Sequence, residues 1–207
     1  MCIRDRFKTG CPSPHDWNFT DKPVFKVSLG YQWLVGGNKV PWDRVIWART
    51  SLPRHAFIAW VYVQRRLPTK LRLARFVPRT DILCALCHID EEDDSHLFLS
   101  CPFAQEVWST LSHWWPMPFT SLAGSHMEVI TSLTKYKAPK VHKQITYAIF
   151  TAGIYSIWHA RNQSLFKNQQ ISASKTVSVI KNQVRHRILF LNSISCIFSS
   201  YLDIILS

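Results

Sequence analysis

The sequence predicts a mainly α-helical protein, a small helical domain stapled by a cysteine and histidine knuckle and followed by a helical C-terminal extension. Three observations predict it. Apolar residues recur at helical spacing over most of the chain after Pro41, and strand-like alternation is confined to residues 25–29. Cys84, Cys87, His96 and Cys101 stand together between two helical stretches. With 207 residues, 47% of them apolar, including nine Trp and twelve Phe, the chain can bury a substantial aromatic core.

Met1 to Arg6 resembles the in-frame translation of an adapter used in sequencing libraries, so residues 1–15 are expected to be a non-native or disordered lead, with the native chain continuing upstream. Residues 16–35 carry Trp17, Phe19, Phe25, Tyr31 and Trp33 around short polar breaks. Residues 25–29 alternate as an extended segment does until Gly30 interrupts them, and Gly36-Gly37-Asn38 reads as a loop. Residues 42–49 read as a helix with Trp42, Val45, Ile46 and Trp47 on one side, broken at Leu52-Pro53. In the helix that follows, Phe57, Trp60, Val61 and Gln64 keep the i, i+3, i+4, i+7 rhythm of an apolar stripe, and Leu67-Pro68 closes it. Thr69 caps a short basic helix over residues 70–76.

Beyond the knuckle, Pro102 suits the first position of a helix over residues 103–115, with Cys101 as its N-cap and with Phe103, Val107, Trp108, Leu111 and Trp115 in the core. Three more helices are expected at residues 127–136, 140–162 and 174–191. The last carries Val177, Ile180, Val184 and Ile188 at helical spacing. On the middle one, Arg161 is left open between an internal partner and solvent. Residues 188–207 are apolar in patches, but Asn192, Asp203 and repeated serines make them a poor membrane span.

The knuckle reads C-x2-C-x8-H-x4-C. Two thiols three positions apart face one ion from a single turn, and a histidine and a third thiol from the next element complete a tetrahedron suited to Zn²⁺. His88 is the rival nitrogen ligand. His96 is preferred because Leu97-Phe98 anchors it in the core. Four protein ligands leave no position for water or substrate, so the expected cofactor is one structural zinc ion. The acidic run at residues 90–94 reads as a solvated loop, with the alternative that one of its carboxylates, Glu92 or Asp94, receives the second ring N–H of His96.

The formal charge of +12 is unevenly spread: residues 1–80 carry +11, residues 81–110 carry −7 and residues 111–207 carry +8. Attraction to phosphate would therefore come from the flanks of the knuckle and not from its acidic loop. Arg54, Arg65, Arg66, Lys70, Arg72 and Arg75 are the candidate phosphate contacts, with a solvated basic face as the alternative. There is no phosphate-cradling glycine loop, nucleophile elbow, HExxH helix or adjacent aspartate pair. The chain is therefore expected not to be an enzyme. Clustered cysteines without a signal peptide point to an intracellular location, nucleus or cytoplasm, and not to secretion.

Trp42-Asp43-Arg44-Val45-Ile46-Trp47, Pro53 through Trp60, Arg66-Leu67-Pro68-Thr69, the knuckle with His96-Leu97-Phe98, and Cys101-Pro102-Phe103-Ala104 with Val107-Trp108 resemble the zinc-binding domain that follows the reverse transcriptase in plant non-LTR (LINE-type) retrotransposons. The segment from Ile157 to Asn162, with Phe166, resembles what commonly follows that domain. The resemblance implies that Cys84, Cys87, His96 and Cys101 hold the zinc and that Glu92 occupies a usual acidic position before the histidine. It also implies a parent polyprotein with RNA-directed DNA polymerase activity, of which this chain is a non-catalytic fragment.

The expected organisation is thus a lead (1–15), a reverse-transcriptase-associated zinc-binding domain (16–116), a helical extension (117–190) and an uncertain tail (191–207). The expected function is to hold RNA template or target DNA, with the reverse transcriptase domain as a further partner and no membrane. Two alternatives stay open: a structural module that docks on the polymerase, and a decayed element fragment without function.

Overall fold

A computed structural model describes residues 40–77, 81–118 and 125–206. Val40 apart, these belong to one unit, Pro41–Ser207. The lead, the aromatic stretch at 16–35 and the loop at 36–38 lie outside the described residues. The helices in chain order are α1 (Asp43–Ile46), α2 (Pro53–Val63), α3 (Lys70–Leu73), α4 (Pro102–Trp114), α5 (His126–Lys135), α6 (Lys140–Lys167), α7 (Ala173–Ser195) and α8 (Leu202–Leu206). A π-helical turn spans His96–Ser100 and a 3-10 turn Ser199–Tyr201. The mainly α expectation holds, and among the described residues the extended pairing is one isolated antiparallel bridge between Leu83 and Glu91.

Local chemistry sets most boundaries. Pro53 and Pro102 open α2 and α4 at the position where a missing N–H costs nothing. Ser125 and Glu128 form a capping box on α5, and the Ser172 hydroxyl accepts from Lys175 N to start α7. Asn168 ends α6 in the left-handed region, φ 51°. α1 and α3 are single turns, shorter than their apolar patterns suggest, while α6 runs on past Asn162 to Lys167. α6 is the axis of the fold. From Ile145 to Arg161 it is buried on nearly every side, as a helix apolar all round must be.

α2 lies along α6 in the same direction. Thr50 Oγ1 donates to Gln144 O (2.6 Å), Thr151 Oγ1 to Ser51 Oγ (3.1 Å), and the His55 ring packs 4.6 Å from that of Tyr155. The buried face of α2 is His55, Ala56, Ala59, Tyr62 and Val63, and Phe57 is 53% exposed. This corrects the stripe of Phe57, Trp60, Val61 and Gln64. The reason is steric: Ala56 and Ala59 let two helix backbones approach, and larger side chains on that face would hold α6 away. A similar close approach occurs where Trp108 of α4 crosses α6. A Cβ on Gly153 would fall 2.7 Å from Trp108 Cζ3, and the indole is fixed by its own bond from Nε1 to Phe98 O (2.8 Å).

α7 packs on the other side of α6 through Val177, Ile180, Val184 and Ile188, the stripe its sequence predicts. The tail then folds back. Phe198 and Ile205 are buried, and Arg185 Nε donates to Ile205 O (2.7 Å). Trp114 on α4 meets the cations of Lys181 (5.1 Å) and Arg185 (5.8 Å) over its ring.

His55 makes this packing sensitive to acid. Burial, and then the charge of Arg54, lower its pKa from 6.5 to about 4. Folded His55 stays neutral where the unfolded chain has begun to bind a proton. Its contribution is therefore complete above pH 6.5, is lost as pH falls towards 4, and changes no further below, amounting to about 3 kcal/mol over the window. Urea midpoints of the wild type and of His55→Gln at pH 7 and pH 5 measure this: the wild type should lose more stability between the two, and equal losses would contradict it.

Candidate zinc centre

The knuckle is built by a short hairpin and a widened helical turn. Glu92 N donates to Ile82 O and Cys84 N to Asp90 O, both at 2.8 Å, which pairs the two arms of residues 82–92. Between them His88 N returns to Cys84 O (2.9 Å) with His88 at φ 57°, a conformation histidine tolerates better than most residues. That turn points Cys84 and Cys87 to one side. Leu86 N also lies 3.5 Å from Cys84 Sγ, a donor placed on a sulfur that must carry negative charge.

The second pair comes from the π turn. Cys101 N donates to His96 O (2.7 Å), a five-residue closure that is one residue wider than an α turn and brings a ligand five positions on back beside the first. Asp93 Oδ1 accepts from His96 N (2.6 Å) and starts the turn. Leu97, Phe98 and Leu99 are buried, and the Phe98 ring packs 4.8 Å from Tyr62 of α2 and 6.5 Å from Trp158 of α6. Cys101 then stands at the N-cap of α4, where the helix dipole favours a thiolate.

These elements bring the donor atoms of Cys84, Cys87, His96 and Cys101 within 4.8 Å of one another. The Sγ atoms of Cys84 and Cys101 are 3.9 Å apart, and Cys87 Sγ is 3.2 Å from His96 Nε2. Zinc bonds of about 2.3 Å to sulfur and 2.0–2.1 Å to nitrogen give tetrahedral edges of about 3.8 Å and 3.6 Å. These two separations lie within a few tenths of an ångström of those edges, and a pair at the 4.8 Å limit would close by about 1 Å around one ion. His88 is not in the cluster. Cys84 and Cys101 are fully buried, and the four positions form a closed set. Cys84 and Cys101 share a proton through their mutual hydrogen bond, which draws the Cys84 thiol down and, together with burial, pushes the Cys101 thiol up. Zinc ligation requires both thiols deprotonated and releases that proton.

The residues expected to support His96 do something else. Its Nδ1 lies 3.7 Å from Asp90 Oδ2, while Glu92 and Asp94 meet other partners. Glu92 is fully buried and accepts from Lys70 N (2.9 Å), Ala85 N (3.1 Å) and Arg161 Nε and Nη2 (3.1 and 2.7 Å). Arg161, 1% exposed, also donates to Pro68 O (3.4 Å) and lies over the Trp158 ring (4.8 Å). A guanidinium carried into the core by α6 needs a buried counter-charge, and Glu92 supplies it. Asp94 sits 3.8 Å from Arg65, and burial raises its pKa. Ser164 Oγ donates to Ala85 O (2.8 Å), a second tie from α6 to the knuckle.

The candidate phosphate contacts divide. Lys70 departs from expectation: it is 7% exposed, with its ammonium 2.7 Å from Asp81. Arg65 faces Asp94, and Arg72 donates to the carbonyl of Arg65. Arg54 lies over the Tyr155 ring (5.4 Å). Arg54, Arg66 and Arg75 are exposed, and no carboxylate among the described residues pairs with them.

Fold and site together define a helical domain closed by one structural zinc. Residues 25–108 of the chain match the family described as zinc-binding in reverse transcriptase, a segment that contains the whole quartet and ends on Trp108. No curated protein matches the chain, and no solved structure does. The matched domain is an accessory, zinc-binding one associated with reverse transcriptase. Among the described residues no helix is long and apolar enough to cross a membrane.

Proposed function

We propose that the chain is the zinc-binding module of a plant non-LTR retrotransposon polyprotein, acting in the nucleus or cytoplasm without catalysis of its own. Its zinc is held by Cys84, Cys87, His96 and Cys101, and its task is to hold RNA template or target DNA for the attached reverse transcriptase. The observation that carries this reading is the charge of residues 41–77, eight Lys/Arg against the one acid Asp43, with Arg54, Arg66 and Arg75 unneutralised. Zinc supports the grip indirectly, by fixing α2, which carries Arg54, and the segments after α2 and α3 that carry Arg66 and Arg75. Titration of the zinc-loaded chain with RNA and DNA at about 50 and 200 mM salt tests it: affinity that falls as salt rises is the expected result, and no binding at the lower salt would refute it.

A second reading, a module that docks on the polymerase, draws on Phe190 and Ile194, which are 57% and 61% exposed on one side of α7. Substituting Arg54, Arg66 and Arg75 separates the two, because a docking module keeps its partner while a nucleic-acid binder loses affinity.

A further inference from the structure

We propose that the outward face of α2 is a stacking platform for single-stranded nucleic acid, on which Phe57 and Trp60 take bases and Arg54 takes a phosphate. The inference rests on the nucleic-acid reading above and specifies its ligand. Phe57 is 53% exposed and Trp60 partly so, with ring centroids 5.9 Å apart and planes inclined by 42°. Trp60 is anchored in part against the core, and Phe57 projects beside it into water, so the two rings form a fixed, partly exposed aromatic edge.

Charge selects the occupant. α2 contains no Asp or Glu, and Arg54 stands three residues before Phe57. Its guanidinium lies on the Tyr155 ring without a carboxylate partner, so its N–H groups remain available to an incoming anion. Tyr155 in turn stacks on exposed His159, centroids 6.1 Å apart and planes at 20°, which carries the ring surface onto α6. The mount is rigid, because Ala56 and Ala59 seat α2 against the buried middle of α6.

Rings beside unpaired guanidinium groups match a chain of bases and phosphates. They match a single strand better than a duplex. Inside a duplex both faces of every base are covered by its neighbours, and a ring on a convex helix can stack only at an end, whereas an unpaired strand offers a face at each base.

The test uses the zinc-loaded chain with oligothymidylate or oligouridylate of about 16 nucleotides and a duplex of the same length. The wild type should prefer the single strands. Phe57→Ala should weaken single-strand binding about tenfold without changing the salt slope, and Phe57→Tyr should stay near wild type. Arg66→Gln should instead reduce the salt slope by about one. Because Phe57 is half exposed, an unchanged melting temperature for Phe57→Ala shows that the loss is one of binding. Binding that is indifferent to Phe57→Ala, or equal for duplex and single strand, overturns the platform while leaving the nucleic-acid reading intact. A wild type that binds nothing overturns both. Self-association of the chain that Phe57→Ala abolishes would make this face a protein contact and overturn the proposal.

Discussion

Removing the zinc should cost this protein its tertiary structure around α2, α3 and α4. Structural zinc sites are worth roughly 10–16 kcal/mol of apparent binding free energy at neutral pH, and a domain of this kind is stable by only about 5–15 kcal/mol. Losing the ion can therefore cost as much as the whole net stability of the domain. Cys84 and Cys101 are themselves part of the buried core, together with Leu97, Phe98 and Leu99 between His96 and Cys101. A chelator, or Cys101→Ser, should lower helical content and remove the near-ultraviolet signal of the packed tryptophans. Native helicity in a Cys101→Ser chain that binds no zinc would refute the assignment.

The second large effect is expected at Arg161. Arg161→Met leaves Glu92 charged, fully buried and facing only two backbone N–H groups, and breaking a buried pair in this way costs about 3–5 kcal/mol. Glu92→Gln should be at least as damaging. Its carboxylate oxygens accept from Lys70 N on one side and Ala85 N on the other, so an amide nitrogen must face a donor at one of them. Replacing both residues with apolar ones would not restore the wild type, because those two N–H groups stay unpaired. Urea unfolding of the three variants at constant free zinc measures the order, and a double variant as stable as the wild type would sink the argument.

The ligand quartet was legible in the sequence because ligand spacing is a local property, fixed by how few residues a tight turn can hold. The inward stripe of α7 was legible for a related reason: its large apolar residues all lie on one side. Phase failed at α2 because periodicity weighs side chains by size, and there the two alanines are buried while Phe57 is exposed. The long-range partners were not visible either. Glu92 was expected beside His96, four residues away, and meets Arg161, which is 69 residues away. The signal that pointed there was a lone arginine in an otherwise apolar stretch of α6. Lys70 followed the same pattern, its neighbour Asp81 arriving from beyond a turn that sequence spacing does not describe.

The separation of 69 residues between Glu92 and Arg161 also orders events during synthesis. The zinc loop closes over only 17 residues, from Cys84 to Cys101, a short contact with a small entropic cost. At about 5–20 residues per second, the ribosome needs roughly 3–12 s after Cys101 before Arg161 is made. During that interval the nascent chain can hold its metal with the Glu92 carboxylate still in water and Ala56 and Ala59 uncovered. Metal capture would then precede the burial of Glu92 against Arg161, so the zinc site can form before its buried counter-charge exists.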